Sequence, residues 1–398
     1  MLSDFFGVNL SYQENMLAKY YTQNGHQVVV IASTIESIFD YMQNKYERST
    51  PKSITIPFEN CKIIRLPYRY NILNKLRKHS GVHKILKQEN PDLIYVHNIH
   101  LNLREAVKYV KKHPGCKIIL DSHSDFSNSA NNWLSTNILH KIIRKRFLHK
   151  HLAYIDRLYP VTPSSADFLF EAYGIDYKQM ELLPLGCDYQ KSIEIIKSTD
   201  QDKLKAEYGI KKDDFVIITG GKLTPNKKTD ILIKAIELTQ DKNIHLIVFG
   251  KAEAEYEKLL HKMAEGLPVH FADWLNSEEL LRHMTIADLA IYPASQSVLW
   301  QQSIGMHLPL ILGNTGYQDF DYLNLHNNII GLKKDEINPE YISEQIKYLK
   351  NNPETLRRMK QAAQQVAEEY LDYTIICQKT LEVFEHPKAP IGKEETTI

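Results

Sequence analysis

The residues best suited to chemistry are Gly220-Gly221-Lys222-Leu223-Thr224-Pro225-Asn226-Lys227-Lys228-Thr229-Asp230. The apolar run 215–219 precedes them and reads as a buried parallel strand. Residues 231–238 follow with the apolar spacing of a helix packed on a sheet. A strand, a tight glycine turn, two spaced cations and a helix start make an anion cradle. The glycines let the backbone approach a phosphate, the helix N-terminus offers free N–H groups, and Lys222 and Lys227 supply charge. Diphosphate binding is the chemistry implied. Strand-to-helix turns also carry glycine and lysine for geometry and solubility alone, and both the Rossmann and the Walker spacings are absent.

The elements around this loop alternate. Segments 27–31, 62–66, 93–97, 117–120 and 157–161 read as strands, separated by helical stretches such as 13–24 and 103–112. That is the βαβ rhythm of a doubly wound parallel sheet. Only Met1-Leu2 precede the turn Ser3-Asp4-Phe5-Phe6-Gly7, so the first strand is expected to be a stub, or the native start to lie upstream. The rhythm returns in 215–219, 245–249, 269–271, 289–292, 308–312 and 329–332. Pro184 and Gly186 mark an interdomain connection. Helices are expected over 339–351, 353–369 and 373–384. The fold class that follows is α/β, with two Rossmann-like doubly wound domains facing a cleft. We expect a first domain over 1–184, a second domain carrying the glycine-lysine loop over 185–372, and a C-terminal helix and tail over 373–398, the helix returning to the first domain. Open parallel sheets bind ligands at the carboxyl ends of their strands, which makes the cleft the default site.

Composition narrows the classes. The 398 residues suit two domains, with 43% hydrophobic and 24% charged side chains. No apolar stretch reaches the ~18–20 residues that span a bilayer, and the N-terminus lacks a signal-peptide pattern. Cys61, Cys116, Cys187 and Cys377 lie far apart, as reduced buried thiols of a cytoplasmic protein would. The net charge of +1 hides an asymmetry: residues 61–160 carry 19 Lys/Arg against 6 Asp/Glu. Such an excess concerns partners rather than fold.

In this order along the chain, four landmarks resemble the GT-B glycosyltransferases of family 4, a group of retaining, nucleotide-sugar-dependent enzymes. Leu183-Pro184-Leu185-Gly186-Cys187-Asp188 is similar to the family's linker. Gly221-Lys222-Leu223 with Lys227 is similar to its diphosphate-binding loop. Ala287-Asp288-Leu289-Ala290-Ile291-Tyr292-Pro293 resembles its next strand, and the stretch from Gln302 to Ile311 its following helix-and-strand segment. The resemblance implies a hexosyltransferase with a UDP- or GDP-linked sugar as donor and no cofactor. It departs from the family where two glutamates seven residues apart bind the donor. Gln302 takes the ribose-binding position and Ala294 the sugar-binding one. An amide still hydrogen-bonds a diol, less strongly than a carboxylate. Ser295, Gln296 and Ser297 are candidates for the lost sugar contact, and Lys222 stands for the family's arginine.

In the same resemblance, His123 of Leu120-Asp121-Ser122-His123-Ser124-Asp125 reaches the reacting centre and is the catalytic candidate. The alternative is that Ser124 or Asp125 merely caps the next helix. Gly7 resembles the family's glycine loop facing donor phosphates or acceptor, with Asn9, His97 and Asp125 as cleft residues. His97 and His100, lacking a third ligand nearby, give no metal site, and a structural role for His97 competes with a cleft role. Asp319-Phe320-Asp321 is read as a loop without metal.

The basic excess concentrates in 139–150. Leu139, Ile142, Ile143 and Phe147 share one helical face, with Lys141, Arg144 and Lys145 opposite and Arg146 interrupting the apolar stripe. A basic amphipathic helix reads as a contact with an anionic membrane surface at the inner face of the plasma membrane. An ordinary core-facing helix has the same pattern. No nucleic-acid-binding motif occurs. The functions in competition are transfer of a hexose to a surface-glycan or lipid-linked acceptor, a nucleotide-sugar epimerase of the same fold, and a non-catalytic subunit that kept the fold.

Overall fold

The computed structural model describes residues 1–8, 11–36, 54–58, 61–73, 75–130, 132–294, 296–316 and 318–386. The chain divides into two compact units, Met1–Pro184 with Tyr373–Ile398, and Leu185–Asp372.

In unit 1, strands β1 (Val29–Ser33), β2 (Ile54–Phe58) and β3 (Cys61–Leu66) lie in the order β2-β3-β1. Strands β6 (Leu93–Val96), β7 (Lys117–Ser122) and β8 (Arg157–Pro160) form a second parallel set. Leu2 joins the two sets, bridging Ile31 on one side and Val96 on the other. Successive residues alternate between two apolar layers. Val30, Tyr95 and Ile119 pack with the helix Gln13–Gln23 and with Tyr373, Ile376 and Val383 of the C-terminal helix. Ile31, Val96 and Leu120 pack on the other side with the helices Leu103–Val110 and Pro163–Tyr173. Burial on both faces is what parallel strands require. The unit departs from an all-parallel sheet in two places: β2 runs antiparallel to β3, and β4 (Tyr68–Ile72) forms a hairpin with β5 (Leu76–His79). Neither element has the unbroken apolar run that marks a buried strand.

In unit 2 the six strands β9 (Phe215–Leu223), β10 (Ile244–Ala252), β11 (Val269–Ala272), β12 (Leu289–Tyr292), β13 (Leu310–Gly313) and β14 (Ile329–Leu332) are parallel, in the order β11-β10-β9-β12-β13-β14. Strand β9 does not stop at Thr219. It runs on through Gly220 and Gly221 to Leu223, paired with Phe249–Ala252 of β10. The turn expected at the glycines starts after Leu223, in a 3₁₀ segment Pro225–Lys227 that ends on a left-handed Lys228 (φ 57°).

The segment before β8 also differs from a plain helix. Ser135–Arg144 is π-helical and continues as the α-helix Lys145–Leu152. A π turn holds more residues than an α turn and shifts the phase of the apolar face. The buried side chains of this segment are therefore His140, Leu148, His151 and Leu152; of the expected stripe, Leu139 and Phe147 are half-buried and only Phe147 packs against the core. Ile142 and Ile143 remain 40% and 41% exposed.

Candidate functional site

In unit 1, the loops that leave Leu2, β6 and β7 at their carboxyl ends carry the titratable groups. Asp121, one residue before the end of β7, is fully buried on the same face as Tyr95 of β6. Its Oδ2 accepts from the Tyr95 hydroxyl at 2.9 Å and from His97 Nδ1 at 2.9 Å, and its Oδ1 accepts from the Asn98 N–H at 2.5 Å. Asn98 reaches that geometry with a positive φ of 65°, which Asn tolerates better than most residues. His123 Nε2 lies 3.3 Å from Asp121 Oδ2, and its ring sits 4.5 Å from that of His97.

On its far side, His97 Nε2 lies 3.4 Å from Glu14 Oε2, so both ring nitrogens face a carboxylate. Burial alone would lower the His97 pKa, but the charges of Asp121 and Glu14 outweigh it and hold the group at about 9. Burial would likewise raise Asp121; the two histidines instead keep it far below the usual carboxylate range. Ligand atoms of His97, Asp121 and His123 lie within 4.8 Å of one another, a grouping that could hold a metal ion. The expectation that His97 has no third ligand nearby is corrected here, because the sheet brings β6 and β7 side by side. In the geometry present, however, Asp121 already accepts from Tyr95, His97 and Asn98.

A cavity of about 390 Å³ opens beside this network, lined by Gly7, Glu14, His97, Asn98, Ser124 and Arg144 among others. Its size is that of a small-molecule site. His97 lines it; the His123 ring, tilted by 55° against that of His97, is not among the lining residues. Asp125 is used elsewhere: its Oδ1 accepts from the Ser127 N–H, the Ser127 hydroxyl and the Asn128 N–H, and so holds the turn after β7. Arg144, expected on the basic surface strip, instead lines the cavity. Lys141, Lys145 and Arg146 border a shallow depression with Ile142. Asn9 and Ser295 lie outside the described residues.

In unit 2, Gly221 (φ 105°) and Gly250 (φ 114°) face each other across β9 and β10. A Cβ on Gly250 would stand 1.9 Å from the Gly221 carbonyl oxygen, so only glycine lets these strand ends approach. Lys227 folds back over Gly221: a Cβ there would meet its Nζ at 3.1 Å. The ammonium is half-buried, and burial lowers its pKa. Among the described residues no carboxylate pairs with it. It borders a narrow crevice of about 10 Å³ with Thr219, Gly220, Ala294 and Ser297, large enough for a water and not for a phosphate, so an anion would sit at its mouth. Lys222 is exposed at the end of β9.

Gln302 Oε1 is buried without a hydrogen-bond donor among the described residues. Ala294, at the position of the first family glutamate, is buried too. Gln296 is hydrogen-bonded to the Tyr322 hydroxyl and is thus already engaged. Asp319 Oδ1 accepts from the Asp321 N–H at 2.9 Å, as a turn cap does. Glu14, Tyr95, Asp121 and Gly250 escaped the sequence reading. A carboxylate closing the apolar run Ile118-Ile119-Leu120 was the available signal for Asp121, and a glycine closing the run before 250 that for Gly250.

Each unit is an α/β layer built on parallel strands, the architecture of the GT-B glycosyltransferase fold. Residues 15–191 match Glycosyltransferase Family 4 and residues 200–366 match Glycosyl transferases group 1, and the chain belongs to this family. It is 27% identical over 240 residues to the lipopolysaccharide 1,2-N-acetylglucosaminetransferase of Salmonella typhimurium, covering 58% of this chain and 53% of that protein. It is 26% identical over 162 residues to the mannosylfructose-phosphate synthase of Agrobacterium fabrum, covering 37% of this chain and 35% of that protein. The chain thus spans about half or less of the length of these curated relatives. The structure of the Anabaena protein HepE in complex with UDP superposes with a TM-score of 0.65 at 16% identity, covering 96% of this chain and 98% of that one, a likeness of fold.

Proposed function

We propose that the chain transfers a hexose from a UDP- or GDP-linked sugar to a surface-glycan or lipid-linked acceptor, with retention and without a metal or other cofactor. Unit 2 holds the donor and unit 1 the acceptor. The observation that carries this reading is Lys227: a half-buried cation without a carboxylate partner among the described residues, held over paired glycines ahead of a helix start. Such a group is complete only with an anion beside it. The unpaired Gln302 Oε1 supports the reading, since a ribose diol would donate to it. The lipopolysaccharide relative supports a glycan acceptor.

His97 and His123, with Asp121 behind them, would meet the donor sugar or its leaving phosphate, as polarised groups in a shielded pocket do. We also assign the protein to the inner face of the cytoplasmic membrane, without nucleic acid as partner. Among the described residues no helix is long and apolar enough to cross a membrane. Trp133 and Leu134, 68% and 66% exposed, lie next to the basic segment.

The test is a thermal-shift screen against nucleotide sugars, followed by donor hydrolysis. A ligand that binds only the folded state raises its stability. Stabilisation by a UDP- or GDP-sugar and slow release of free sugar support the transferase. Formation of an isomer would make it an epimerase, and binding without turnover a non-catalytic subunit, the outcome that the missing acidic pair favours.

A further inference from the structure

We infer that the unit 1 cavity takes an acceptor bearing an anionic group, a phosphate or carboxylate, held between Lys75 and Arg144. This rests on the transferase reading above and names the chemical class of its acceptor. The charges on the cavity wall carry the argument. Three carboxylates line it, and each has a cation beside it, the His97 imidazolium being shared between Glu14 and the buried Asp121. Asp4 Oδ2 lies 2.5 Å from Arg77 Nη2, Glu36 Oε1 lies 3.3 Å from Arg65 Nη2, and Glu14 Oε2 lies 3.4 Å from His97 Nε2. Arg77 is thereby used as well, its Nε donating to the same Asp4 oxygen at 2.6 Å. The lining cations left over are Lys75 and Arg144, and among the described residues neither has a carboxylate within ion-pair distance.

These two cations are built together. Arg144 Nη2 donates to the Lys75 carbonyl at 3.2 Å, which ties the β4–β5 hairpin to the end of the π-helical segment. The wider π turn brings Arg144, half-buried, onto the cavity wall while Lys141 stays exposed. Their field reaches the neighbouring His140. Burial first, then the Arg144 and Lys75 charges, push its pKa down to about 4. Positive charge in a recess concentrates anions, and the guanidinium, which already bonds the Lys75 carbonyl and the Tyr173 hydroxyl, has further N–H groups to donate to a phosphate or carboxylate. Ile143 and Phe147 of the same helical stretch supply an apolar wall, as a sugar face or a lipid stem requires.

The experiment uses the full chain with UDP present at saturation, so that the cradle at Lys227 is filled; UDP affinity is measured first and tests the donor reading separately. Inorganic phosphate, pyrophosphate and glucuronate are then titrated at constant ionic strength, with thermal unfolding as readout. At least one should stabilise the protein. Its apparent affinity should fall about tenfold or more in Lys75→Ala and in Arg144→Ala, the loss expected for one charge-assisted hydrogen bond. Pyrophosphate as the tightest probe points to a lipid diphosphate acceptor, phosphate to a sugar phosphate, and glucuronate to an acidic sugar. Lys75 is exposed, so its variant reports even where Arg144→Ala disturbs folding. Equal stabilisation of wild type and both variants, stabilisation lost only in Lys227→Ala, or none from any probe would overturn the inference.

Discussion

His97 Nδ1 lies 2.9 Å from Asp121 Oδ2, on a carboxylate that is wholly buried, and this pair fixes the imidazole that lines the unit 1 cavity. The two residues are 24 positions apart and meet because β6 and β7 are neighbours in the sheet. The sign of the pH dependence follows. The pKa of His97 is raised to about 9, so its contribution is fully present below the unfolded value of about 6.5 and is lost as pH rises through about 9. Asp121 is depressed, so its contribution is present above its unfolded value near 4 and is lost as pH falls. The pair should stabilise unit 1 most between about pH 4 and 6.5. Urea unfolding of the wild type should therefore lose roughly 3 kcal/mol between pH 6 and pH 10 from this pair, and His97→Gln should flatten that slope. An equal slope in both would remove His97 from the account.

Asp121→Asn should cost about 3–5 kcal/mol near neutral pH, because it leaves a buried imidazolium without its main counter-charge. The variant should also release His123, whose ring is held against His97. A lowered His97 titration, followed by NMR, checks the first point, and loss of the contacts between the two rings checks the second.

The fold was legible where burial on both faces writes itself as an apolar run. β9, β10, β12 and β13 each follow such a run, and Leu2 acts as a stub between Ile31 and Val96. The hairpin β4–β5 was not legible. Its outer residues Tyr70, Ile72 and Leu73 are exposed, so no periodic burial marks it. Gly220-Gly221 was misplaced as a turn, because the pairing of Gly221 with Gly250 depends on a strand 29 positions later. The same holds for Arg144: its place on the cavity wall depends on a π turn that no α-helical spacing predicts.

Gly250→Ala should be far more damaging than Gly221→Ala. At Gly250 the new methyl meets a carbonyl oxygen at 1.9 Å, and neither strand can move without breaking the ladder. At Gly221 the nearest atoms, at 3.1 Å, are the ends of Leu299 and Lys227, which can yield. Both carry positive φ, so both are strained. We expect more than about 4 kcal/mol for Gly250→Ala and about 1–2 kcal/mol for Gly221→Ala by thermal or urea unfolding.

Lys227→Ala should weaken UDP or GDP binding by about 1.5–3 kcal/mol, and Lys222→Ala by less, since it is exposed. Burial lowers the Lys227 pKa, and a bound diphosphate would raise it again. Binding should then take up protons at alkaline pH, visible as a dependence of the calorimetric enthalpy on buffer ionisation. Proton uptake that persists in Lys227→Ala would place its source elsewhere. Gln302→Leu should remove the preference for UDP over a dideoxy analogue, because the buried Oε1 is then no longer there to accept from the diol.

The last expectation concerns the membrane. Trp133, Leu134, Ile138 and Ile142 are exposed on the segment that also carries Lys141, Lys145 and Arg146, a combination of apolar anchors and cations that suits an anionic bilayer surface. Each cation near such a surface contributes on the order of 1 kcal/mol, so these three cations and one aromatic anchor should suffice to hold the protein reversibly. Arg144 is excluded from that count by its place on the cavity wall. Sedimentation with anionic vesicles at low salt should carry the protein down, and high salt should release it, since the attraction is screened within about 8–10 Å at physiological ionic strength. Trp133→Ala with Leu134→Ala should weaken the binding at every salt concentration, whereas Lys141→Ala with Arg146→Ala should also flatten its salt dependence. Arg144→Ala should leave vesicle binding nearly unchanged while impairing acceptor use. Loss of sedimentation in Arg144→Ala equal to that in Lys141→Ala would return Arg144 to the surface strip and detach it from the acceptor.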